Sequence, residues 1–386
     1  MRQSLATATW LAALLTSLLP STAESVQTRA DDFTSVCNEI SSAISSASAV
    51  HWPGLDLAYL TDIGHWATSS SAQSACSVEP GTTEDVAAIL QILAKNKTPF
   101  ADTYPDLFFG LKGGFNNFGI VTKFNLTTHA QTEVWGGLIT ITEDQLDKVN
   151  AATVKFSQSV TDPKAQILPT YNFLLGQPGI SLILFYDFPT PPAGIFDDFL
   201  AIPHFTSDVK TRPFLDLVKA APANATGGQR AIFHTVSLLE YTDNIMAAVV
   251  NETKFWGQRL SLQTGNFISY DVEPFLPSIF SHSAEGSSAF PPSRAKGLLP
   301  LNIYYAWGLD LADDAMHDAA RQSAAHLTQV VLAEGQDVAD AALYGNYAIF
   351  DTPLERIYGG NLARLQALKA QYDPENVMGL AGGWKF

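Results

Sequence analysis

Residues 343–378 read LYGNYAIFDTPLERIYGGNLARLQALKAQYDPENVM, and this stretch decides which fold we expect for the chain. Its second half predicts a helix that buries Leu362, Leu365 and Leu368, because leucines at this spacing lie on one helical face. The Asp-Pro pair at 373–374 ends the helix, since the residue before a proline avoids the helical conformation. The first half contains two short aromatic and glycine-rich motifs, YGNY and YGGN.

Upstream, residues 130–335 alternate between strand-like runs and long helices. One predicted helix runs from Glu143 to about residue 157 behind a Thr142 and Gln145 capping box, and another runs from Asp313 to Glu334. The strand-like runs are VWGGLITI, QILPTYNFLL, ISLILFYDF, TVSLLEYT and LPLNIYYAWGL. This pattern predicts an antiparallel sheet covered on one face by helices.

Further upstream, CSVEPGTTEDVAAILQILAKNKTPFA over residues 76–101 predicts a strand, a helix capped near Thr83 and the start of a second strand. Such a β-α-β opening is typical of a cofactor-binding layer. After Ala101 the chain enters DTYPDLFFGLKGG, which predicts a short helix over 106–111. The glycine-rich fragment LKGGFNNFGIV follows, and GIVTKFNLTTH over 119–129 has the alternation of a half-exposed strand.

These segments together resemble the berberine-bridge-enzyme-like flavoprotein oxidases. YGNY, YGGN, the leucine helix and YDPENV resemble the family's C-terminal signature. DLFFGLKGGFNNFGIVTKF resembles the closing segment of its flavin domain, and CSVEPGTTEDVAAILQIL resembles the opening segment. The resemblance implies an α+β fold: an incomplete PCMH-type FAD-binding domain over 24–129, an antiparallel-sheet substrate domain backed by helices over 130–335, and a C-terminal segment over 336–386 that returns to the FAD domain.

The resemblance also implies a function. Family members transfer a hydride from a substrate to FAD while a tyrosine or carboxylate removes a proton, and molecular oxygen then reoxidises the flavin. We therefore expect a small-molecule substrate, namely a secondary metabolite, alcohol or sugar. The sequence assigns no catalytic residue, and an ordinary turn is the alternative interpretation of the glycine-rich fragment alone. The residues expected to contact FAD are Gly113, Gly114, Asn117, Phe118, Gly119, Ile120, Asn346 and Tyr347.

A segment that the family has between the strand at Ala101 and the helix after Asp102 is absent from this sequence. In the family, that strand leads into a loop whose histidine commonly binds the flavin covalently, followed by the loops that hold the pyrophosphate. By the resemblance, roughly a hundred residues are missing, including the covalent attachment site. His65 lies upstream and does not match that site. The chain is therefore a working flavoenzyme, a non-catalytic binding protein, or a truncated product of mis-splicing or faulty gene prediction. We favour the third for this chain and the first for its locus.

The N-terminus predicts export. Arg2, the apolar run WLAALLTSLL and a small-residue site ending at Ala23 form a signal peptide over 1–23, so we expect a secreted protein. A membrane anchor is the alternative, but the run is shorter than the ~20 residues of a span. In an oxidising compartment Cys37 and Cys76 are expected to form a disulfide, as in the family, rather than remain free thiols. The predicted glycosylation sites are Asn96, Asn125, Asn224 and Asn251.

Length, charge and missing motifs limit the classes of protein to which this chain can belong. A chain of 386 residues with a net charge of −16 is expected to hold two domains and to bind neither nucleic acid nor anionic membranes. Its 8 histidines form no H-E-x-x-H motif, so the spacing predicts no metal site, and no G-x-S-x-G motif is present. We expect a monomer. Residues on strand-like segments that are candidates for a substrate cavity, with core packing as the alternative, are Tyr171, Tyr186, Glu240, Tyr241, Tyr270 and Tyr304.

Overall fold

The computed structural model describes residues 22–64, 74–94, 105–122, 128–174, 176–221, 226–293 and 297–386. The chain divides into two compact units, one formed by Met1–Gly64 with Ser71–Thr98 and the other by His65–Ser70 with Pro99–Phe386. The domain boundaries at 129 and 335 stay a prediction. Three predicted features lie outside the described residues. They are the first 21 residues of the signal peptide, His65, and the segment around Ala101.

The first unit combines three helices with a two-stranded ladder among its described residues. These elements are α1 (Thr22–Ala43), β1 (Ala49–His51), α2 (Leu57–Asp62), β2 (Ser77–Glu79) and α3 (Thr83–Ala94). β1 and β2 pair antiparallel, with His51 opposite Ser77. The side chain of Thr82 accepts a hydrogen bond from the Asp85 amide and so caps α3.

A disulfide between Cys37 and Cys76 joins α1 to the residue before β2. Their Cα atoms are 6.1 Å apart, within the range that an unstrained bridge needs. The predicted pairing is confirmed.

The second unit is built on one antiparallel sheet, which has eight strands within the described part of the chain. The strands are β3 (Val134–Thr142), β4 (Ala165–Leu174), β5 (Gln177–Tyr186), β6 (Thr206–Ser207), β7 (Lys210–Arg212), β8 (Arg230–Leu238), β9 (Gly265–Val272) and β10 (Leu299–Trp307). Their order is β6-β3-β5-β4-β9-β10-β8, with β7 also pairing with β3. The antiparallel sheet expected between residues 130 and 335 is confirmed.

Helices cover one face of this sheet. They include α8 (Asp243–Ser261), whose Gly257 lies so close to β4 that a Cβ there would sit 2.2 Å from Cγ of Phe173, so only glycine fits. α8 also packs on α9 (Asp313–Ala333), where His326 pairs with Glu252 of α8. α9 ends just before Gly335, which adopts the left-handed conformation. The helices of this unit are α4 (Pro105–Leu111), α5 (Leu146–Ser159), α6 (Asp197–Leu200), α7 (Phe214–Val218), α8 (Asp243–Ser261), α9 (Asp313–Ala333), α10 (Leu354–Tyr358) and α11 (Leu362–Tyr372).

A smaller apolar core joins α4, α10 and α11. The three leucines at 362, 365 and 368 are buried, so the predicted inward face of the C-terminal helix is confirmed. They pack with Phe109 and Phe118 from the α4 region.

Residues 336–349 run along the edge strand β8. The Gln336 side chain accepts a hydrogen bond from the Leu239 amide at 2.7 Å and donates one to the Glu240 carbonyl at 2.9 Å. Ser237 on β8 donates to the carbonyl of Ala342 at 2.7 Å. The C-terminal segment therefore closes the end of the sheet.

Two local predictions were wrong. A 3₁₀ turn over Glu143–Gln145 precedes α5, and the Thr142 hydroxyl donates to the Asp144 carboxylate instead of capping the helix. Residues 119–122 have no regular secondary structure and pair with no described strand, and residues 123–127 lie outside the described residues. An alternating pattern yields a strand only where a neighbouring strand completes the ladder.

Candidate functional site

Polar side chains line up across three adjacent strands on the sheet face away from α8 and α9. The register places Thr170 of β4 and Asn302 of β10 on either side of Asp271 of β9. Residues directly opposite each other in a ladder point to the same face, so these three side chains share one face. The neighbouring Tyr270 points the other way, where its hydroxyl bonds Ser323 of α9 at 2.7 Å.

Asp271 is held in this row by Asn302. The Asn302 amide donates to Oδ2 of Asp271 at 2.8 Å, while the buried Oδ1 of Asn302 has no hydrogen-bond partner among the described residues. Burial raises the pKa of Asp271 to about 6, although the Asn302 hydrogen bond opposes this shift. An unsatisfied buried acceptor beside such a carboxyl marks a place where a ligand donor can bind.

Glu273 extends the row by one further carboxyl. Its side chain is buried, and Oε1 accepts a hydrogen bond of 2.7 Å from the hydroxyl of Tyr347. Burial, with a smaller contribution from the negative charge of Asp271, raises the pKa of Glu273 to about 7. A carboxyl whose pKa lies near neutrality can both accept and release a proton at physiological pH.

Aromatic rings stand beside the two carboxyls. Phe233 lies between Tyr304 and Tyr347, with ring centroids 4.7 Å and 6.0 Å away. The Tyr304 hydroxyl donates to Oγ1 of Thr226 at 2.7 Å, and burial raises the pKa of Tyr304 to about 12. The site is therefore a row of hydrogen-bonding carboxyls next to an aromatic wall, which suits a small organic ligand.

The structure places the predicted residues Asn346 and Tyr347 differently. Tyr347 belongs to the cluster through its bond to Glu273. Asn346 is exposed, and its amide donates to the hydroxyl of Tyr344 at 2.6 Å.

Most of the glycine-rich turn contacts the chain itself. The fully buried Asn117 donates to the carbonyls of Gly114 at 2.8 Å and Trp384 at 2.9 Å, and its Oδ1 accepts from the Phe386 amide. Phe118 is buried, with its ring centroid 5.8 Å from that of Phe386. The side chains of Asn117 and Phe118 therefore fix the C-terminus in place.

The glycines of this turn are partly bonded as well, since the Gly113 carbonyl accepts a hydrogen bond of 3.3 Å from the Tyr358 hydroxyl. Gly113 and Gly119 adopt positive φ values of 109° and 152°, which glycine tolerates best, and the side chain of Ile120 is exposed. The amide of Gly114 bonds the carbonyl of Gly110 at 2.7 Å and is not available to a ligand.

The structure brings this turn next to the YGNY segment. Trp384, whose carbonyl accepts from Asn117, donates its indole N–H to the carbonyl of Gly345 at 3.2 Å. A Cβ at Gly345 would lie 3.0 Å from the ring of Phe115. The glycine-rich turn and the YGNY segment are therefore neighbours in the fold, although Phe115 and Gly345 are more than two hundred residues apart in sequence.

The remaining candidates are structural where the structure describes them. Tyr171, Tyr186 and Tyr270 belong to the hydrophobic core, which favours packing as their role. Tyr241 is buried in the same core, but its hydroxyl also accepts a hydrogen bond of 3.1 Å from the Glu273 amide, and Tyr304 lies on the site face. Glu240 is exposed, and its carbonyl bonds Gln336. Among the predicted glycosylation sites, Asn251 is exposed on α8, whereas the asparagines at 96, 125 and 224 lie outside the described residues. None of the described helices is long and apolar enough to cross a membrane.

Sequence reasoning missed the central residues of this site. Asp271, Glu273 and Asn302 were not singled out, and β9 was not among the quoted strand runs. The signal was present in YDVEP, where two acidic residues at alternate positions interrupt an apolar strand, because such carboxyls must share one face.

Comparison with known proteins relates the chain to a family of FAD-dependent enzymes. The family described as "Berberine and berberine like" matches residues 343–381, which include Asn346 and Tyr347. The FAD-dependent monooxygenase sdcF of Emericella nidulans is 29% identical over 300 residues, which cover 74% of this chain and 61% of that protein.

Solved structures give the fold. BBE-like 1 of Physcomitrella patens has a TM-score of 0.54 at 17% identity, over 72% of this chain and 60% of that chain. Carbohydrate oxidase from Microdochium nivale has a TM-score of 0.52 at 19% identity, over 71% of this chain and 60% of that chain.

The fold is the α+β fold of the PCMH-type FAD-binding oxidases. The chain itself is a relative of the berberine-bridge-enzyme-like FAD-linked oxidoreductases, and FAD is the cofactor of that family. It spans about three fifths of the length of the relatives named above.

Proposed function

We propose that this chain derives from an FAD-dependent oxidase of secondary-metabolite, alcohol or sugar substrates and keeps the half of the site that binds substrate. The observation that carries the proposal is the buried Glu273, whose pKa is raised to about 7 by burial and which bonds Tyr347 inside the segment shared with the family. A carboxyl of this kind is suited to take a proton from a substrate hydroxyl.

The neighbouring residues prepare Glu273 for that role. The Tyr347 hydroxyl donates to the carboxylate and so fixes which oxygen remains available. The Asp271–Asn302 pair and the Phe233 ring lie on the same side of the sheet and offer hydrogen bonds and an apolar surface to a polyhydroxylated or aromatic substrate. Proton transfer therefore needs only residues of this chain.

The described residues suit the flavin-ring end of FAD but not its pyrophosphate. We propose that the flavin ring contacts the exposed Asn346, Tyr347, and the positive-φ glycines Gly113 and Gly119. The pyrophosphate requires converging amides or the N-terminus of a helix. In the turn the Gly114 amide is bonded to the Gly110 carbonyl, and the side-chain amide of Asn117 is bonded to two carbonyls. The described residues do not hold the whole cofactor.

We therefore propose that the chain as written is impaired in catalysis and binds FAD weakly if at all. When bound, the flavin would supply the redox chemistry and oxygen would be its second substrate. The family's covalent attachment site has no counterpart in this sequence, and the break after Ala101 lies outside the described residues. A non-catalytic or mis-spliced family member that binds no flavin is the second candidate, and the internally bonded glycine-rich turn favours it.

The proposal includes a cellular setting. The predicted signal peptide, the disulfide and the exposed sequon at Asn251 support a secreted, monomeric glycoprotein. The net charge of −16 disfavours nucleic acid as a partner.

The test is to purify the full chain, record its visible spectrum, and look for flavin fluorescence after denaturation. We expect a colourless protein that gains no stoichiometric flavin when titrated with free FAD and consumes no oxygen with sugars or alcohols. Stoichiometric flavin, bound or covalent, would overturn the proposal that the chain is impaired in catalysis. Sequencing the transcript across the codons for Ala101 and Asp102 then separates a true short form from mis-splicing.

A further inference from the structure

Three side chains with metal-binding atoms meet in the first unit. The ligand atoms of His51, Asp62 and Glu79 all lie within 4.8 Å of one another. His51 ends β1, Asp62 ends α2 and Glu79 ends β2, so the group joins all three elements. Because His51 pairs with Ser77, Glu79 lies two residues further along β2 on the same face.

The two ring nitrogens of His51 have different surroundings. Nδ1 lies 3.2 Å from Oδ2 of Asp56, as in the carboxylate–histidine pairs that orient metal-binding imidazoles. Nε2 is buried and has no hydrogen-bond partner among the described residues, with Oε2 of Glu79 3.6 Å away. A buried nitrogen that faces carboxylates without bonding them is the arrangement that a cation between them would satisfy.

The carboxylates have the freedom to complete the site. Asp62 is exposed and its Oδ2 accepts a hydrogen bond of 2.6 Å from the Ser77 hydroxyl, which orients it. Glu79 is 61% exposed, so its side chain can rotate toward Nε2. Ligand atoms at about 2.1 Å from zinc lie about 3.4 Å apart, so the observed spacing closes with movements of about 1 Å.

We propose that His51, Asp62 and Glu79 bind one Zn²⁺ ion, with water at the remaining positions. One imidazole and two carboxylates select a borderline transition metal, since Ca²⁺ and Mg²⁺ are bound through oxygen. The ion stabilises the junction of β1, α2 and β2 beside Cys76, whose disulfide already ties β2 to α1. No spacing motif in the sequence pointed to this group.

The experiment uses the full chain after treatment with EDTA, titrated with Zn²⁺ by calorimetry and, separately, with Ca²⁺. We expect one Zn²⁺ per chain, no comparable Ca²⁺ binding, and slower amide exchange over residues 49–51 and 77–79 on addition of Zn²⁺. His51→Gln is expected to weaken binding at least tenfold. Asp56→Asn keeps an N-cap residue for α2 and is expected to weaken binding about 10–100-fold.

The matched control is Asp147→Asn, which removes an exposed carboxylate from α5 in the other unit and should leave Zn²⁺ affinity unchanged. If His51→Gln does not fold, Asp62→Asn carries the test, because Asp62 is exposed at the end of its helix. The proposal is overturned if the wild-type chain binds no Zn²⁺, or if the site variants bind it as tightly as Asp147→Asn does.

Discussion

Tyr347 and Glu273 are joined by a hydrogen bond of 2.7 Å, which links the C-terminal segment to the residue just beyond β9. The donor, Tyr347, belongs to the YGNY motif noted in the sequence, whereas the acceptor, Glu273, belongs to no motif noted there. The charge state of Glu273 therefore affects both the proposed chemistry and the attachment of the C-terminal segment to the sheet.

Tyr347→Phe removes this bond while keeping the ring stacked on Phe233. We expect the free energy of unfolding to fall by about 1–3 kcal/mol at pH 8, where the carboxyl is ionised, and by less at pH 5. Urea unfolding at both pH values measures the difference. Tyr344→Phe is the control, and an equal loss at both pH values would contradict the assignment.

The raised pKa values of Asp271 and Glu273 predict a pH dependence of stability. Burial raises the pKa of Asp271 to about 6 and that of Glu273 to about 7 in the folded protein, whereas in the unfolded chain such carboxyls have pKa values of about 4. Between these limits the folded state holds protons that the unfolded state has released, so the free energy of unfolding falls as the pH rises from about 4 to about 8.

Glu273→Gln removes the ionisation behind this loss. We expect the variant to be more stable than wild type at pH 8 by roughly 1–3 kcal/mol and equal to it near pH 4. Asp271→Asn should behave in the same way. A constant difference across the pH range in guanidinium unfolding would refute the shift.

Replacing Lys369 is expected to lower the stability of the small core around α11 strongly. Its ammonium group is buried, pairs with Asp373 and donates to the carbonyl of Asn117 at 2.9 Å. Lys369→Met leaves the Asp373 carboxylate buried without its cation and should cost about 3–5 kcal/mol of stability. The exposed Lys148→Met is the control; if both variants unfold at the same denaturant concentration, the pair contributes nothing.

The disulfide predicts a local effect in the first unit. A double Cys37→Ser and Cys76→Ser variant should lose about 3–4 kcal/mol by the loop-entropy relation. Limited proteolysis and amide exchange over residues 33–64 and 74–93 report on that unit. Unchanged protection there would show that α1 and β2 stay in place without the bridge.

The sequon at Asn251 predicts a glycan on α8. The asparagine is exposed, while the Thr253 of the same sequon is buried and bonds the Val249 carbonyl in the folded helix, so modification must precede folding. Material secreted from a eukaryotic host should shift in mass on deglycosylation, with a smaller shift for Asn251→Gln. Identical shifts would show that the site is not used.

The sequence predicted the parts of the fold that repeat a local pattern. The strand runs and the leucine face of α11 were recognised because alternation and helical spacing require only near neighbours. The strand expected over 119–129 is absent over its described residues 119–122, because a strand also depends on a partner that no local pattern specifies. Position within a family motif singled out Tyr347 as a contact of FAD, which stays a prediction. Asp271 and Asn302 meet only through the register of β9 and β10, and Glu273 follows directly after β9.

The cluster around His51 was missed for a related reason. Metal motifs recognised from sequence place their ligands at short fixed spacings on one element. Here the three side chains lie on two strands and a helix. The ladder between β1 and β2 brings His51 near Glu79, and the bond from Ser77 holds Asp62 of α2 beside them.

The bonds that hold residues 336–349 against β8 have a consequence for biosynthesis. The carbonyl of Glu240, the amide of Leu239 and the hydroxyl of Ser237 obtain their partners from chain that is translated about a hundred residues later. Until the ribosome has released those residues, the sheet has an open edge with unsatisfied polar groups. A nascent chain that stalls before residue 336 therefore leaves these three groups at the end of β8 without their partners, and groups of another chain can bond them instead.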